Sequence, residues 1–142
     1  MEVIDKSKLS IAQQVAEAAM AFQRQRTGLM PKSATVVLSE DTLMITLHGA
    51  LSRAEQSLAK KPAGAAQVRE FHRELFTNCA DALRKEIERI TGVEVREATV
   101  EVEPSSGTVV QVFTSGTMVQ VFLLAHSVPS ETWSGNGVVD QH

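Results

Sequence analysis

The sequence is poor in cysteine and in aromatic residues. It has one cysteine, Cys79, and no tyrosine, and aromatic side chains make up 4% of its 142 residues. A lone cysteine excludes a disulfide framework within the chain. Few aromatic rings and a net charge of −3 leave neither a stacking platform for bases nor a basic field for phosphates. We therefore expect no nucleic-acid partner.

A long, uninterrupted apolar segment is also lacking. The most apolar stretch, residues 109–125, is broken at six positions by polar residues or glycine, whereas a membrane helix needs about 20 predominantly apolar residues. Met1 is followed by acidic and polar residues, which is unlike the basic segment and apolar run of a signal peptide. We expect a cytoplasmic protein that does not insert directly into a membrane.

Motifs for nucleophilic catalysis, phosphate binding and metal binding are absent. The sequence has no G-x-S-x-G and no G-x-x-x-x-G-K-[ST] pattern. Its four histidines lack the close spacing that metal ligands on one helix show: His48, His72, His126 and His142. We therefore predict that the protein is not an enzyme and has no catalytic residues, cofactor or metal.

Three side chains that often carry chemistry have a structural interpretation here. His72 lies among arginines and glutamates on a predicted helix, which is typical of a solvated helix face. His48 ends a predicted strand, where a half-buried structural histidine is the commoner case. Cys79 falls within an apolar helical stripe, so we predict that it is buried as a small hydrophobic residue.

Length and composition predict a single globular domain. Hydrophobic residues make up 43% and charged residues 22%, which is ordinary for a soluble fold. We assign residues 1–126 to one α+β domain and residues 127–142 to a flexible tail, because the tail is rich in Ser, Gly, Pro and Asn. Trp133 in this tail is either a buried anchor or part of a disordered segment.

Capping signals predict three helices. Ser10 and Gln13 have the spacing of a capping box for a helix over 11–26, which Gly28 ends at positive φ. Ser52 and Glu55 repeat that spacing for a short connector helix. The main helix spans 65–91 and ends at Gly92. Its predicted apolar stripe contains Val68, Phe71, Leu75, Cys79, Ala82 or Leu83, Ile87 and Ile90, and an Asp81–Lys85 ion pair is expected on its surface.

The remaining segments predict strands of one mostly antiparallel sheet with four to five strands and helices on one face. Residues 35–38 and 42–47 form a hairpin, and residues 93–102 form a strand with an irregularity near Ala98. Residues 107–113 and 116–122 are tandem copies of one pattern. A turn between the copies predicts a C-terminal hairpin with Gln111 opposite Gln120.

The C-terminal hairpin is predicted to be apolar on both faces. Four valines form a patch on one of them: Val110, Val112, Val119 and Val121. Such a hairpin is covered by helices, by a partner chain, or by one of each. We predict a homodimer whose interface uses the helices or this hairpin.

Basic residues cluster before the main helix and in its first turns. They are Lys60, Lys61, Arg69 and Arg73, and together with the positive helix end they could bind an anion. The alternative is a solvated basic loop, because neighbouring cations alone do not make a concave site.

Four segments resemble the MpsC-like family in unbroken order and near-constant spacing: residues 28–33, 47–59, 68–75 and 90–93. The likeness spans residues 7–113. It departs from the family at the turn over 101–107, which lacks an expected lysine, and residues from 116 onward extend past it. The resemblance implies an α+β domain associated with a Na+-translocating, membrane-potential-generating system, with no catalytic residues to transfer.

This resemblance leads to two hypotheses. The first is a non-catalytic accessory or regulatory protein that contacts a membrane-protein partner of an ion-transport system. That system would translocate Na+, generate a membrane potential or take up inorganic carbon. The alternative is a cytoplasmic sensor that binds a small molecule or anion at Lys60, Lys61, Arg69 and Arg73.

Overall fold

The computed structural model describes residues 10–39, 41–104 and 106–114. Four antiparallel strands form one sheet in the order β1-β2-β4-β3, with the helices on one face, so the predicted α+β class is confirmed. The elements in chain order are α1 (Ile11–Thr27), β1 (Ser33–Ser39), β2 (Thr42–His48), α2 (Arg53–Leu58), α3 (Pro62–Thr91), β3 (Glu97–Glu103) and β4 (Thr108–Thr114).

The ends of α1 follow the predicted signals. Ser10 Oγ accepts a hydrogen bond from the Gln13 backbone N–H at 3.1 Å, and Gln13 Oε1 accepts one from the Ser10 N–H at 2.9 Å. At the other end, Gly28 has φ 79° and donates its N–H to the carbonyl of Arg24 at 2.8 Å. This left-handed residue turns the chain toward β1.

The first turn of α3 lies unusually close to α2. The helix begins at Pro62, three residues before the predicted start, because proline at the first helical position loses no hydrogen bond. A Cβ atom added at Gly64 would lie 1.8 Å from the carbonyl oxygen of Leu58. Glycine at this position therefore allows the end of α2 to pack against α3.

Strand β4 lies in the middle of the sheet. Gln111 is opposite Ile45 of β2 and opposite Val100 of β3. The repeat predicted Gln120 as the partner of Gln111, and that register is wrong because both edges of β4 are occupied at this residue. The second copy of the repeat, the tail and Trp133 lie outside the described residues.

Strand β3 begins at Glu97, later than predicted. Ala98 pairs regularly with Phe113, so the expected irregularity is absent. The preceding segment crosses from α3 to the sheet and joins it at Arg96, whose backbone N–H donates to the Thr114 carbonyl at 3.0 Å. Val95 is buried there and donates its N–H to Glu88 Oε2 at 2.8 Å, which ties this crossing to the last turns of α3.

The core lies between the sheet and the two long helices. The rings of Phe76 on α3 and Phe113 on β4 have centroids 5.9 Å apart. Burial of side chains of this size contributes roughly 1.5–3 kcal/mol each. Buried apolar residues of this core include Val15, Leu43, Ile45, Leu47, Leu51, Val68, Leu83, Ile87 and Val109.

The buried face of α3 differs from the predicted stripe. Phe71, predicted to be in the stripe, is 52% exposed, whereas His72, predicted to be solvated, is 2% exposed. The buried row advances in steps of four from Gly64 through Val68 and His72 to Phe76, which keeps side chains on one face. Cys79 is half-buried, not fully buried.

Two smaller predictions about polar side chains have different outcomes. Asp81 pairs with Arg84, with 2.6 Å between Oδ1 and Nη2, and the predicted pair with Lys85 is wrong. His48 is half-buried and its Nε2 lies 3.0 Å from Thr35 Oγ1, as the sequence predicted.

Two residues of the predicted valine patch are already buried from solvent in a single chain. Val110 and Val112 are 1% and 2% exposed, on the face of β4 opposite to the one that carries Phe113. Val119 and Val121 lie outside the described residues. The homodimer stays a prediction.

We expect Gly28→Ala to destabilise the protein by about 1 kcal/mol or more, because alanine is strained at positive φ. Beyond the two adjoining residues, no heavy atom lies within 4 Å of the added Cβ, so the strain of the local backbone produces the loss. Urea denaturation measures it. Gly28→Asn is the control and should lose less, since asparagine tolerates the left-handed region. Equal loss in both variants would contradict this account.

Candidate functional site

The predicted basic cluster does not converge. Lys60 and Lys61 are exposed just before α3, and Arg69 and Arg73 are exposed along it. A rise of 1.5 Å per residue places Arg69 about 12 Å and Arg73 about 18 Å along the axis from Lys61. Arg73 also pairs with Glu70, with 3.1 Å between Nη1 and Oε2. None of the four lines the groove or the cavity described next, and anion binding there stays a prediction.

A surface groove lies where the end of α1 and helix α2 meet the first half of α3. Its volume is about 450 Å³. Leu58 and Phe71 stand in it with 49% and 52% of their surface exposed. The groove is lined by Arg26, Thr27, Glu55, Leu58, Gln67, Val68 and Phe71.

The polar centre of this region is the contact between Glu55 and His72. Glu55 Oε2 lies 2.7 Å from His72 Nε2, and Glu55 Oε1 accepts the backbone N–H of Ser52 at 3.0 Å. The His72 side chain is 2% exposed and that of Glu55 is 24% exposed. One carboxylate therefore caps α2 and satisfies a buried ring on α3.

A small cavity lies on the inner side of His72. It is lined by residues from α1, α3, β3 and β4. Its volume of about 10 Å³ is close to the volume that one water molecule requires. Gln23 Nε2 and Gln111 Oε1 are both buried without a hydrogen-bond partner among the protein atoms, and both side chains line this cavity. A donor and an acceptor thus face one small space.

The Glu55–His72 contact separates the groove from the cavity. Glu55 lines the groove, and His72 lines the cavity. Arg26 lines both, and its Cζ lies 5.0 Å from the centre of the Phe22 ring. The Phe71 ring meets the His72 ring edge to face, with centroids 5.2 Å apart. The groove and the cavity therefore adjoin each other, with Arg26 and the Glu55–His72 contact between them.

The environment of Glu55 lowers the pKa of its carboxyl group. Burial acts in the opposite direction and raises it, but the hydrogen bond from the Ser52 backbone and the contact with His72 outweigh burial. The folded state therefore holds Glu55 ionised to lower pH than the unfolded chain does.

Sequence patterns revealed only half of this site. The S-x-x-E spacing predicted Glu55 as a capping residue, since Ser52 is three positions away. His72 is 17 positions away, and no local pattern connects the two. Phe71 was assigned to the core, so its place in a groove was missed as well.

Two further findings concern metal binding and membrane spanning. No group of three His, Cys, Asp or Glu side chains in the described ranges could hold a metal ion. Within the same part of the chain, no helix combines the length and the apolar character needed to cross a membrane.

Fold and groove together define an α+β domain in which the two long helices, α1 and α3, cover one antiparallel sheet. The short helix α2 completes a surface groove. The family model described as "Na+-translocating membrane potential-generating system (MpsC)" matches residues 7–116. The chain belongs to the MpsC family.

A relative with a similar span has no assigned role. The chain is 24% identical over 108 residues to "Uncharacterized protein YbcI" of Bacillus subtilis (strain 168), and the match covers 76% of this chain and 87% of YbcI. No solved structure matches the chain.

We expect Glu55→Gln to lower the free energy of unfolding at neutral pH and to have little effect in acid. The folded-state pKa of Glu55 lies below its ordinary value of 4.5, so its contribution is present above 4.5 and is lost as pH falls through the folded-state pKa. Glutamine can still accept the Ser52 N–H, so the charge is what changes.

Urea denaturation at about pH 7 and about pH 3 measures this effect. The control is Glu70→Gln, which removes an exposed carboxylate that pairs with Arg73 and should change stability little at either pH. A Glu55→Gln deficit that is as large in acid as at neutral pH would show that the carboxylate charge is not responsible.

We expect Gln23→Met and Gln111→Met to be non-additive. Either single change leaves the other amide facing the cavity with one potential partner fewer, whereas the double change replaces both polar groups with apolar ones. The double variant should therefore be more stable than the sum of the single losses by about 0.5–3 kcal/mol. Urea denaturation measures all four proteins. The control is Gln25→Met at an exposed position of α1, which should change stability little. Strict additivity of the two buried changes would contradict a shared site.

Proposed function

We propose that this protein is a non-catalytic accessory or regulatory component that acts by contacting a protein of a Na+-translocating membrane system. Membership of the MpsC family supports the link to such a system. The observation that carries the proposal of protein contact is the groove between α1, α2 and α3.

Exposed apolar side chains in a concave surface support a binding role. Leu58 and Phe71 are each about half exposed, and the groove that they line has a volume of about 450 Å³. Single exposed apolar residues are common, whereas grouped ones around a depression are typical of contact sites. Phe71 supplies the aromatic anchor that protein interfaces favour.

The arrangement of the titratable groups supports a role without catalysis. Both oxygens of Glu55 are engaged, one by the Ser52 N–H and one by His72. The ring of His72 is buried beneath the groove. A general acid or base must reach the proton it transfers, and these two groups are instead used to hold α2 against α3.

The proposal is tested by Phe71→Ser in cells that lack the native protein. Wild-type protein should co-purify with an identified subunit of a Na+-transporting membrane complex and should restore Na+-dependent membrane potential. Phe71→Ser should lose both, because it removes the anchor of the groove. It also removes the ring contact with His72, so a melting curve is measured to show that the variant is folded.

The matched control is Ile11→Ser, which removes a side chain of similar exposure, 48%, outside the groove lining. It should behave like the wild-type protein. Equal recovery of the membrane subunit with both variants, or unchanged membrane potential when the protein is deleted, would contradict the proposal.

A further inference from the structure

We infer that the groove binds a peptide segment that combines a carboxylate with apolar side chains. This inference rests on the proposed function and names the chemistry of the partner. It depends on three features of the groove: its apolar walls, the hydrogen-bond donors that it still offers, and its concave shape.

The apolar walls require apolar side chains on the partner. Leu58 and Phe71 are about half exposed, whereas Val68 in the same lining is buried. An apolar side chain that covers them would remove their apolar surface and its own from water, and such burial is the main favourable term in association. A purely charged ligand would leave these walls unused.

The polar groups of the groove favour an anionic partner. Arg26 is exposed, and no carboxylate in the described part of the chain pairs with it. Its position beside the Phe22 ring orients the guanidinium group, whose N–H donors match the geometry of a carboxylate. Gln67 is also exposed in the lining and adds a side-chain amide.

The lining also holds one negative group, Glu55, so the preference for a carboxylate is confined to the part of the groove beside Arg26. Glu55 directs one oxygen to the Ser52 N–H and the other to His72, and its side chain is 24% exposed. Its acceptor sites are therefore largely used within the protein, whereas the donors of Arg26 are available to a partner.

The shape of the groove favours a peptide over a lipid surface. A depression of about 450 Å³ accepts a few protruding side chains, as sites of 300–1,000 Å³ accept ligands. A flat bilayer cannot enter it. Attraction to anionic lipids also relies on several cations, each contributing about 1 kcal/mol near the surface, and Arg26 is the one cation in the lining.

A random peptide library displayed on phage tests the inference with the full-length protein as target. Peptides selected by the wild-type protein should be enriched in Asp or Glu next to Leu, Ile or Phe. Their Kd, measured as synthetic peptides, should rise about tenfold or more with Phe71→Ser, as expected when an interface anchor is truncated. When the Arg26→Glu variant is the target, the selected peptides should instead be enriched in Lys and Arg, because the charge at this position of the groove is reversed.

Two controls separate the groove from general surface charge and apolarity. Arg24→Glu reverses an exposed cation in the same last turn of α1 that does not line the groove, and Ile11→Ser removes an apolar side chain elsewhere. Both should select the same acidic, apolar peptides as the wild-type protein. Circular dichroism and melting curves confirm that each variant is folded.

Several outcomes would overturn the inference. They are the absence of any enriched peptide, enrichment without acidic residues, binding that Arg26→Glu or Phe71→Ser leaves unchanged, and tighter binding to anionic phospholipid vesicles than to the peptides. If these occur while the membrane subunit is still recovered in a Phe71-dependent manner, the inference fails and the proposed function stands. If the acidic, apolar peptides bind as expected but no membrane subunit is recovered, the inference stands and the proposed function fails.

Discussion

The position of α2 on α3, and with it the groove, depends on the contact between Glu55 and His72. A buried imidazole without a partner would cost about 1–3 kcal/mol, and the Glu55 carboxylate at 2.7 Å removes that cost. The same carboxylate caps α2, so a helix of only six residues is anchored to the first half of a helix of 30 residues. Gly64 completes the anchor by letting the Leu58 carbonyl approach α3 closely.

The sheet imposes a second constraint through the central position of β4. This strand is hydrogen-bonded to β2 on one edge and to β3 on the other, so its inner side chains lie beneath both long helices. Gln111 occupies one of these inner positions and is 2% exposed. Burial of a polar side chain in an apolar layer costs free energy unless it is hydrogen-bonded. The Oε1 atom of Gln111 has no partner among the protein atoms, and the polar side chains of Gln23 and His72 line the same cavity.

Features that depend on neighbours a few residues apart were predictable from the sequence. The capping boxes at Ser10 and Ser52 and the glycine stops at Gly28 and Gly92 involve partners within four positions, so local patterns contain all the information. The short turn between β1 and β2 was predictable for the same reason. These signals were enough to give the order of the elements and the α+β class.

Features that depend on distant partners were not predictable. Which row of α3 is buried is decided by the sheet and by Glu55, and hydrophobicity alone favoured Phe71 over His72. Strand β4 pairs on one edge with β3, which directly precedes it, and on the other with β2, which is far away in the sequence, whereas the tandem repeat favours a partner that follows β4. The groove was not predictable because it is formed by residues from three helices, and the capping motifs of α1 and α2 indicate where those helices begin but not how they pack together.

Phe71 and His72 show how one helical step divides the surface from the interior. Consecutive residues on a helix point about 100° apart, so one ring is exposed in the groove while the next is buried against Glu55. A partner that covers Phe71 and Leu58 would bury Glu55 further, and burial raises the pKa of a carboxyl group. The Ser52 N–H and His72 act in the opposite direction. The capping box therefore keeps a carboxylate ionised at the place where the groove offers apolar surface, and the helix cap, the buried ring and the exposed groove form one physical unit.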